Sequence, residues 1–256
     1  MHVLVVGGSK GTGRALVRRL ATDGHLVSVI SRSAPPIFED LPLVQIWPAD
    51  VADATALTGA LASVLEARGP VGGVVLLQRY RGDGDDWAGE LATSLTATRL
   101  VLDWVGDHRG NETSVVVIGS AAGSFVASEQ PVSYHVAKAG MAQMVRYYAV
   151  ALGPKGVRVN SISPGTILKD ENQAFYRENP ELERLYRDII PIGRMGTARD
   201  VANVVTFLLS DDASFLTGQD VVLDGGVSLQ WHESLARRLS PMKDLVVVRP
   251  SCGRVE

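Results

Sequence analysis

Seven short runs rich in valine and isoleucine alternate along the chain with longer segments of helical periodicity. The runs span residues 2–6, 26–30, 43–47, 74–77, 114–118, 157–162 and 220–223. Their apolar positions are continuous rather than alternating, as expected for strands that are buried on both faces of a parallel sheet. The helical segments span residues 12–22, 53–68, 86–106, 133–152 and 198–210. This order predicts an α/β chain with a doubly wound parallel sheet between two helical layers, a three-layer α/β/α architecture.

Length and composition indicate a single domain in a reducing, aqueous compartment. The 256 residues contain no low-complexity linker, so we expect one domain over residues 1–256. The net charge of −3 gives no reason to expect nucleic acid or a membrane surface as a partner. The single cysteine, Cys252, cannot form an intramolecular disulfide, and no ligand spacing indicates a metal site. We therefore expect a cytoplasmic protein without a bound metal.

A glycine-rich turn joins the first apolar run to the first helical segment. Its sequence from residue 5 is VVGGSKGTG. Glycines at such a turn let the backbone bend tightly and let a pyrophosphate approach the amides at a helix N-terminus. The turn therefore predicts a dinucleotide site. Its candidate residues are Gly7, Ser9, Lys10, Gly11, Thr12 and Gly13.

The end of the second apolar run indicates which dinucleotide is bound. Sites for NAD usually carry an acidic residue here, which accepts hydrogen bonds from the adenosine ribose. This chain has Ser31 at that position and Arg32 next to it, and Lys10 in the glycine turn lies within reach. Two cations without a carboxylate suit a 2′-phosphate. We therefore favour NADP(H) over NAD(H), the alternative being that both cations are ordinary surface charges.

The stretch SYHVAKAG, residues 133–140, places a tyrosine and a lysine four positions apart. On a helix, Tyr134 and Lys138 would share one face. One interpretation is a surface tyrosine beside a solvated lysine. The other is a phenol whose ionised form is favoured by the neighbouring ammonium, as acid–base chemistry near neutral pH requires. Ser120 follows the fifth apolar run, where open α/β sheets bind their ligands.

Taken together, these motifs resemble those of short-chain dehydrogenases/reductases, a family with the Rossmann fold. The resemblance runs from Val3 to Gly226 and is strongest toward the short subclass typified by 3-oxoacyl-[acyl-carrier-protein] reductases. The stretches that carry it are GGSKGTG (7–13), ADV (49–51), GS (119–120), YHVAK (134–138), VNSISPG (159–165) and residues 191–226.

The resemblance implies an oxidoreductase that interconverts a carbonyl and a secondary alcohol by hydride transfer with NADP(H). Tyr134 would be the general acid for reduction and the general base for oxidation. Lys138 would tune the phenol and hold the nicotinamide ribose. Ser120 would hydrogen-bond the substrate oxygen and help to orient it.

Other positions resemble the family's cofactor contacts and its subunit contacts. Asp50 and Val51 correspond to the adenine-contacting pair, and Pro164, Gly165 and Ile167 to the segment beside the nicotinamide carboxamide. A homotetramer is implied, or a homodimer. One interface would use the helices near 86–106 and 133–152, and another would use residues 191–226.

The chain departs from the family pattern at two places. After the fourth strand the family usually has NNAG, whereas this chain has Leu77, Gln78, Arg79 and Tyr80. Gln78 then stands among the cofactor contacts. We expect Arg79 to turn toward solvent; otherwise it would lie near the cofactor or at the substrate mouth and favour an acidic substrate. The second departure is Ser94, which replaces an asparagine that positions a proton-relay water.

These departures leave other functions open. The chain could be a catalytically weak nucleotide-binding sensor or partner protein that keeps the fold. It could also catalyse a reductase or dehydratase-like step on a carrier-bound or cyclic intermediate. Neither the substrate nor the direction of the reaction follows from the sequence.

Two segments lie outside the motifs. Residues 166–190 should form a mobile lid over a small-molecule or carrier-bound carbonyl substrate. Apolar residues of this lid could line the pocket, namely Phe175, Tyr176, Leu182, Leu185 and Tyr186. Residues 227–256 form a C-terminal extension, in which residues 244–250 would be an extra strand or a segment that docks on a neighbouring subunit.

Overall fold

The computed structural model describes residues 1–33 and 38–240, and its main element is a seven-stranded sheet. The strands are β1 (His2–Val6), β2 (Leu26–Ser31), β3 (Val44–Pro48), β4 (Val71–Leu76), β5 (Arg109–Ile118), β6 (Val157–Pro164) and β9 (Asp220–Leu223). A second sheet pairs β7 (Ile167–Leu168) with β8 (Gly196–Thr197). The helices are α1 (Gly11–Thr22), α2 (Ala54–Arg68), α3 (Asp86–Glu90), α4 (Ala97–His108), α5 (Val132–Leu152), α6 (Asp170–Glu178), α7 (Pro180–Ile189), α8 (Ala198–Leu209) and α9 (His232–Leu239).

The strand order confirms the predicted doubly wound sheet. The order is β3-β2-β1-β4-β5-β6-β9, and every neighbouring pair is parallel. The chain winds outward in one direction from β1 to β3 and in the other from β4 to β9. The direction of winding reverses between β1 and β4, and a crevice opens there at the carboxyl ends of the strands.

The sheet is buried because each central strand supplies side chains to two cores. Leu4 and Val6 of β1 pack against α2 and α4, whereas Val3 and Val5 pack against α1 and α8. All of these side chains are fully buried. This explains why the apolar runs are continuous, since both faces of the sheet are covered by helices.

Several boundaries agree with the local sequence chemistry. A capping box starts α8, because Asp200 N–H donates to Thr197 Oγ1 and Thr197 N–H donates to the Asp200 carboxylate. The long helix α5 ends at Gly153, and Gly156 then adopts a left-handed conformation with φ of 77°.

Other elements differ from the sequence prediction. The helix predicted over 86–106 consists of α3, a π-helical turn over Leu91–Thr96, and α4. The predicted lid contains two helices, α6 and α7, and a short helix, α9, lies in the C-terminal extension. The predicted segment 244–250 and Cys252 lie outside the described residues. Over the part of the chain that is described, no helix combines the length and apolar character needed to cross a membrane.

Candidate active site

A cleft of about 610 Å³ opens at the carboxyl ends of the central strands. It is lined by every residue that the sequence proposed for the cofactor and by three of the four proposed catalytic residues. These are Gly7, Ser9, Lys10, Gly11, Thr12, Gly13, Ser31, Arg32, Asp50, Val51, Gln78, Ser120, Tyr134, Lys138, Pro164, Gly165 and Ile167. The fourth proposed catalytic residue, Ser94, lies behind the cleft wall and is completely buried.

Two glycines of the turn, Gly7 and Gly13, are packed so closely that neither position admits a side chain. A Cβ on Gly13 would lie 2.6 Å from the Gly7 carbonyl oxygen, well inside contact distance. Gly7 has φ of 87°, and a Cβ there would meet the Gln78 backbone nitrogen at 2.8 Å. Only glycine allows this conformation and this approach of β1 to α1. The backbone at the α1 N-terminus is therefore held in one geometry by the fold.

An anionic group already lies on that helix N-terminus. The Gly11 N–H donates a 2.7 Å hydrogen bond to Glu171 Oε1 on α6. Arg14 forms an ion pair with Asp170, and its Nη2 lies 3.8 Å from Glu171 Oε1. A carboxylate oxygen thus lies where a phosphate oxygen of a dinucleotide would bind. The turn accordingly fits a pyrophosphate, and Glu171 would have to leave before one bound there.

The residues proposed for the adenosine end of the cofactor all line the cleft. Ser31 is buried at the end of β2 and its Oγ donates to the Ser33 carbonyl oxygen at 2.6 Å, while Arg32 is exposed. Asp50 accepts a 3.0 Å hydrogen bond from the Ala52 N–H, which ties the turn after β3, and Val51 is buried beneath it. The cleft therefore carries a cation and no acidic side chain at the end of β2.

Gln78 occupies the bottom of the cleft. Its Nε2 donates to Thr98 Oγ1 at 2.9 Å, and both residues are buried. Its Oε1 is buried without a hydrogen-bond partner in the described part of the chain. An unpaired buried acceptor beside the cleft is consistent with the proposed position of Gln78 among the cofactor contacts.

Two cations lie close to the ring of Tyr134. The Lys138 Nζ is 5.6 Å from the centre of the phenol ring, and the Arg79 guanidinium carbon is 4.6 Å from it. Arg79 is exposed, but its guanidinium stays at the cleft instead of turning away from it. Its Nη2 donates to Gln130 Oε1 at 2.6 Å, and this bond together with the cation–π contact fixes the guanidinium over the ring.

Lys138 is buried rather than solvated, which excludes the interpretation of a surface pair. Its Nζ donates to the Ile118 carbonyl oxygen at 3.0 Å and lies 3.6 Å from Met141 Sδ. Burial lowers the pKa of Lys138 to about 8; the charge of Glu90 raises this pKa and that of Arg79 lowers it. The ammonium is thus charged at neutral pH and begins to lose its proton just above it.

Ser94 contacts a buried carboxylate that sequence reasoning missed. Its Oγ donates to Glu90 Oε1 at 2.5 Å, and Glu90 is only 4% exposed. The π-helical turn begins directly after Glu90 and brings Thr93 to the cleft wall. The four-residue spacing of Glu90 and Ser94 on a predicted helix was the signal that could have revealed the pair.

Apart from Ile167, the residues of the predicted lid that line the cleft are polar. Lys169, Glu171 and Asn172 line it. None of the five apolar residues proposed from the sequence does so; Phe175 is exposed, and Tyr176 makes edge contacts with the rings of Phe175 and Tyr186. The expected apolar pocket is therefore wrong for this arrangement of the lid.

Comparisons with known proteins agree with this geometry. A family model described as enoyl-(acyl carrier protein) reductase matches residues 6–228. The 3-oxoacyl-[acyl-carrier-protein] reductase MabA of Mycobacterium tuberculosis is 32% identical over 237 residues, which cover 89% of this chain and 92% of MabA. The chain belongs to the short-chain dehydrogenase/reductase family.

Two further relatives show the range within that family. A glucose 1-dehydrogenase of Gluconobacter oxydans is 26% identical over 247 residues, covering 89% of this chain and 91% of that protein. The structure of a short-chain type dehydrogenase/reductase from Mycobacterium ulcerans superposes with a TM-score of 0.80 at 30% identity, covering 90% of each chain. The relatives are named for different substrates, and the family uses nicotinamide dinucleotides, so this chain is an oxidoreductase whose substrate the comparisons do not name.

Proposed function

We propose that this protein reduces a carbonyl to a secondary alcohol, or catalyses the reverse reaction, with NADP(H) as cofactor and Tyr134 as general acid and base. The observation that carries the proposal is the juxtaposition of Tyr134 with the buried Lys138 in a cleft that ends at a glycine turn. A dihydronicotinamide, when bound, supplies the hydride. The residues of the chain bind and orient the reactants and move the proton.

Proton transfer in reduction would proceed from the Tyr134 hydroxyl to the oxygen of the substrate carbonyl as that oxygen gains negative charge. An unperturbed phenol has a pKa of about 10 and gives up its proton reluctantly at neutral pH. The Lys138 ammonium stabilises the phenolate that the transfer leaves behind. Ser120, whose Oγ accepts a 3.2 Å hydrogen bond from the Ala122 N–H, is thereby oriented to donate its own proton to the substrate oxygen.

Glu90 would keep Lys138 protonated. The charged or titratable groups that face Lys138 are Glu90 from α3, Arg79 from the loop after β4, and Tyr134 on its own helix. Burial and Arg79 both favour the neutral amine, and Glu90 opposes them. Ser94 holds the Glu90 carboxylate through its hydroxyl. The pair thus replaces the amide that the family pattern has at position 94.

The cofactor preference depends on the end of β2. Arg32 is exposed there, and Lys10 of the glycine turn lines the same cleft. A 2′-phosphate would form charge-assisted hydrogen bonds with this pair of cations. A free ribose hydroxyl would have no carboxylate at the end of β2 to accept its hydrogen bond. We therefore expect NADPH to bind more tightly than NADH.

A homotetramer is proposed from the distribution of exposed apolar side chains. Tyr147 and Val150 project from α5 with 67% and 80% of their surface exposed, and Phe215 before β9 is fully exposed. Large apolar side chains on such faces indicate association. Both faces belong to the segments that the family resemblance assigns to subunit interfaces. A cytoplasmic location is proposed with it.

A catalytically weak sensor is the second candidate function. Two contacts favour it, namely the guanidinium of Arg79 over the Tyr134 ring and the Glu171 carboxylate on the Gly11 amide. In a working enzyme, the ligands of the cleft would have to displace or share both contacts. A sensor would bind the nucleotide and respond to it through α6 without consuming it.

A carbonyl panel with NADPH consumption as the readout separates the two functions. We expect turnover with at least one aldehyde, ketone or oxo acid, and a tighter dissociation constant for NADPH than for NADH. Arg32→Ala should reduce this preference by about tenfold, as expected for one lost charge-assisted contact. Binding of NADPH without turnover of any member of the panel would favour the sensor.

A further inference from the structure

The charges on the cleft wall are unlike those of the whole chain. The chain has a net charge of −3, yet among residues 1–33 and 38–240 the cleft is lined by six cationic and two anionic side chains. The cations are Lys10, Arg32, Arg79, Arg81, Lys138 and Lys169, and the anions are Asp50 and Glu171. Such a concentration of one sign indicates an anionic ligand.

The proposed cofactor explains only part of this charge. Lys10 and Arg32 face the expected 2′-phosphate, and the N-terminus of α1 faces the pyrophosphate. Lys169 packs its methylene groups toward the glycine turn, since a Cβ on Gly11 would lie 3.3 Å from Lys169 Cδ. Arg79 is elsewhere, on the ring of Tyr134. Arg79 therefore lies at the end of the cleft where the substrate carbonyl would bind.

Arg81 and Lys169 extend the positive charge from Arg79. Burial lowers the pKa of Lys169, and the charges of Arg81 and Arg79 lower it further, so the three cations lie close enough to repel one another. Cations that lie this close together repel one another, and an anionic ligand would relieve the repulsion. The Arg79 guanidinium gives one hydrogen bond to Gln130, and its other N–H groups suit a bidentate contact with a carboxylate.

We propose that Arg79, assisted by Arg81, forms a subsite for an anionic group on the substrate, so that the preferred substrate is an oxo acid rather than a neutral ketone or a thioester. The inference rests on the proposed function of Tyr134. Because the guanidinium lies against the ring whose hydroxyl would bind the carbonyl, the carboxylate must be separated from that carbonyl by few bonds. Binding of the carboxylate would also draw the guanidinium off the ring.

The experiment compares acids with their neutral counterparts. The probes are pyruvate, acetoacetate and levulinate, each paired with its methyl ester, and NADPH consumption gives kcat and KM. At least one acid should have a kcat/KM about tenfold or more above that of its ester, a difference typical of hydrogen bonds to charged groups. Arg79→Gln should raise the KM of that acid by about 10–100-fold and leave the KM of the ester unchanged. Arg81→Gln should act in the same direction to a smaller extent.

Two controls separate this subsite from the cofactor site. Arg99→Gln changes an exposed arginine that is paired with Asp103 on α4, and it should alter neither KM. The dissociation constant of NADPH should be the same in the wild type and in Arg79→Gln. Weaker NADPH binding with unchanged selectivity between acid and ester would assign the cations to the cofactor phosphates and overturn the subsite.

Binding measurements decide the proposal even if no probe is reduced. Each acid and ester is titrated into the protein saturated with NADP⁺, and the dissociation constants are compared between the wild type and Arg79→Gln. Tighter binding of an acid that is lost in Arg79→Gln supports the subsite, whereas equal binding of acid and ester, or binding of neither, contradicts it. Absence of turnover with such binding intact would count against the proposed reaction and not against the subsite.

Discussion

The two ends of the cleft are formed by different parts of the chain. The proposed nucleotide end is formed mainly by backbone, at a turn where the contacts of Gly7 and Gly13 leave no room for a Cβ. The proposed catalytic end is formed by long charged side chains, namely Arg79 and Lys138. The first end is fixed by the packing of β1 against α1, whereas the second depends on charges that can rearrange. A backbone site suits an invariant cofactor, and a side-chain site allows the substrate to change within one family.

The largest effect on cofactor affinity is expected from filling the backbone site. Gly13→Ala would place a Cβ 2.6 Å from the Gly7 carbonyl oxygen, so the turn must open. We expect NADPH affinity to fall by about 100-fold or more and the free energy of unfolding to fall by about 1–3 kcal/mol, the usual cost of overpacking. Fluorescence titration and urea denaturation measure the two quantities.

Gly59→Ala is the matched control for that substitution. Gly59 lies within α2, and a Cβ there would meet nothing within 4 Å. Replacing a helical glycine by alanine in open space should raise the free energy of unfolding by about 0.5–1 kcal/mol. Equal effects of the two substitutions on NADPH affinity would show that the cofactor does not bind at the glycine turn.

The next effect concerns charge at the catalytic end. The reduction rate should fall as pH rises through the pKa of Lys138, which is about 8, because the ammonium that stabilises the phenolate is lost. Glu90 raises that pKa, so Glu90→Gln lowers it and moves the alkaline limb of the kcat profile to lower pH. At pH values just above neutral the variant should be slower by about threefold to tenfold.

Glu90→Gln also separates charge from structure. The Gln side chain can still accept the hydrogen bond from Ser94, so the fold around the π-helical turn should remain intact. Glu66→Gln, at an exposed site on α2, should leave the pH profile unchanged. An alkaline limb that stays in place in Glu90→Gln would show that the Glu90 carboxylate has only a structural role.

The smallest expected effect is an increase in NADPH affinity, at the proposed nucleotide end of the cleft. Glu171 lies on the Gly11 amide that a phosphate would use. Glu171→Gln keeps the size of the side chain and removes its charge, so the competition weakens and NADPH should bind about threefold to tenfold more tightly. Isothermal titration at low salt gives the comparison with the wild type. Weaker binding in the variant would mean that Glu171 supports the site rather than competing for it.

The fold and most of the residues that line the cleft could be predicted because their signals are local. The order of strands, the glycine turn, and the four-residue spacing of Tyr134 and Lys138 each depend on neighbours in the chain. Spacing alone could not show that Lys138 is buried; that follows from the way α5 packs beside β5 and places the lysine against the Ile118 carbonyl.

The side-chain contacts within the cleft were harder to predict because they join distant segments. The bond from Gly11 to Glu171 spans 160 positions, and that from Arg79 to Gln130 spans 51. No pattern in one sequence indicates where a flexible arginine will point. Arg79 was expected to turn toward solvent, but the face of the Tyr134 ring and the amide of Gln130 were both within its reach. The apolar stripe of the lid was likewise misleading, since its rings pack on one another.

Single-turnover reduction by Tyr134→Phe tests the central claim most directly. The substitution keeps the ring close to Arg79 and Lys138 and removes only the proton to be transferred. The account predicts that NADPH binds with an unchanged dissociation constant. The rate of NADPH oxidation should fall by about 10²–10⁴-fold, the range for loss of a general acid. A rate close to that of the wild type would contradict it, because some other group would then be delivering the proton.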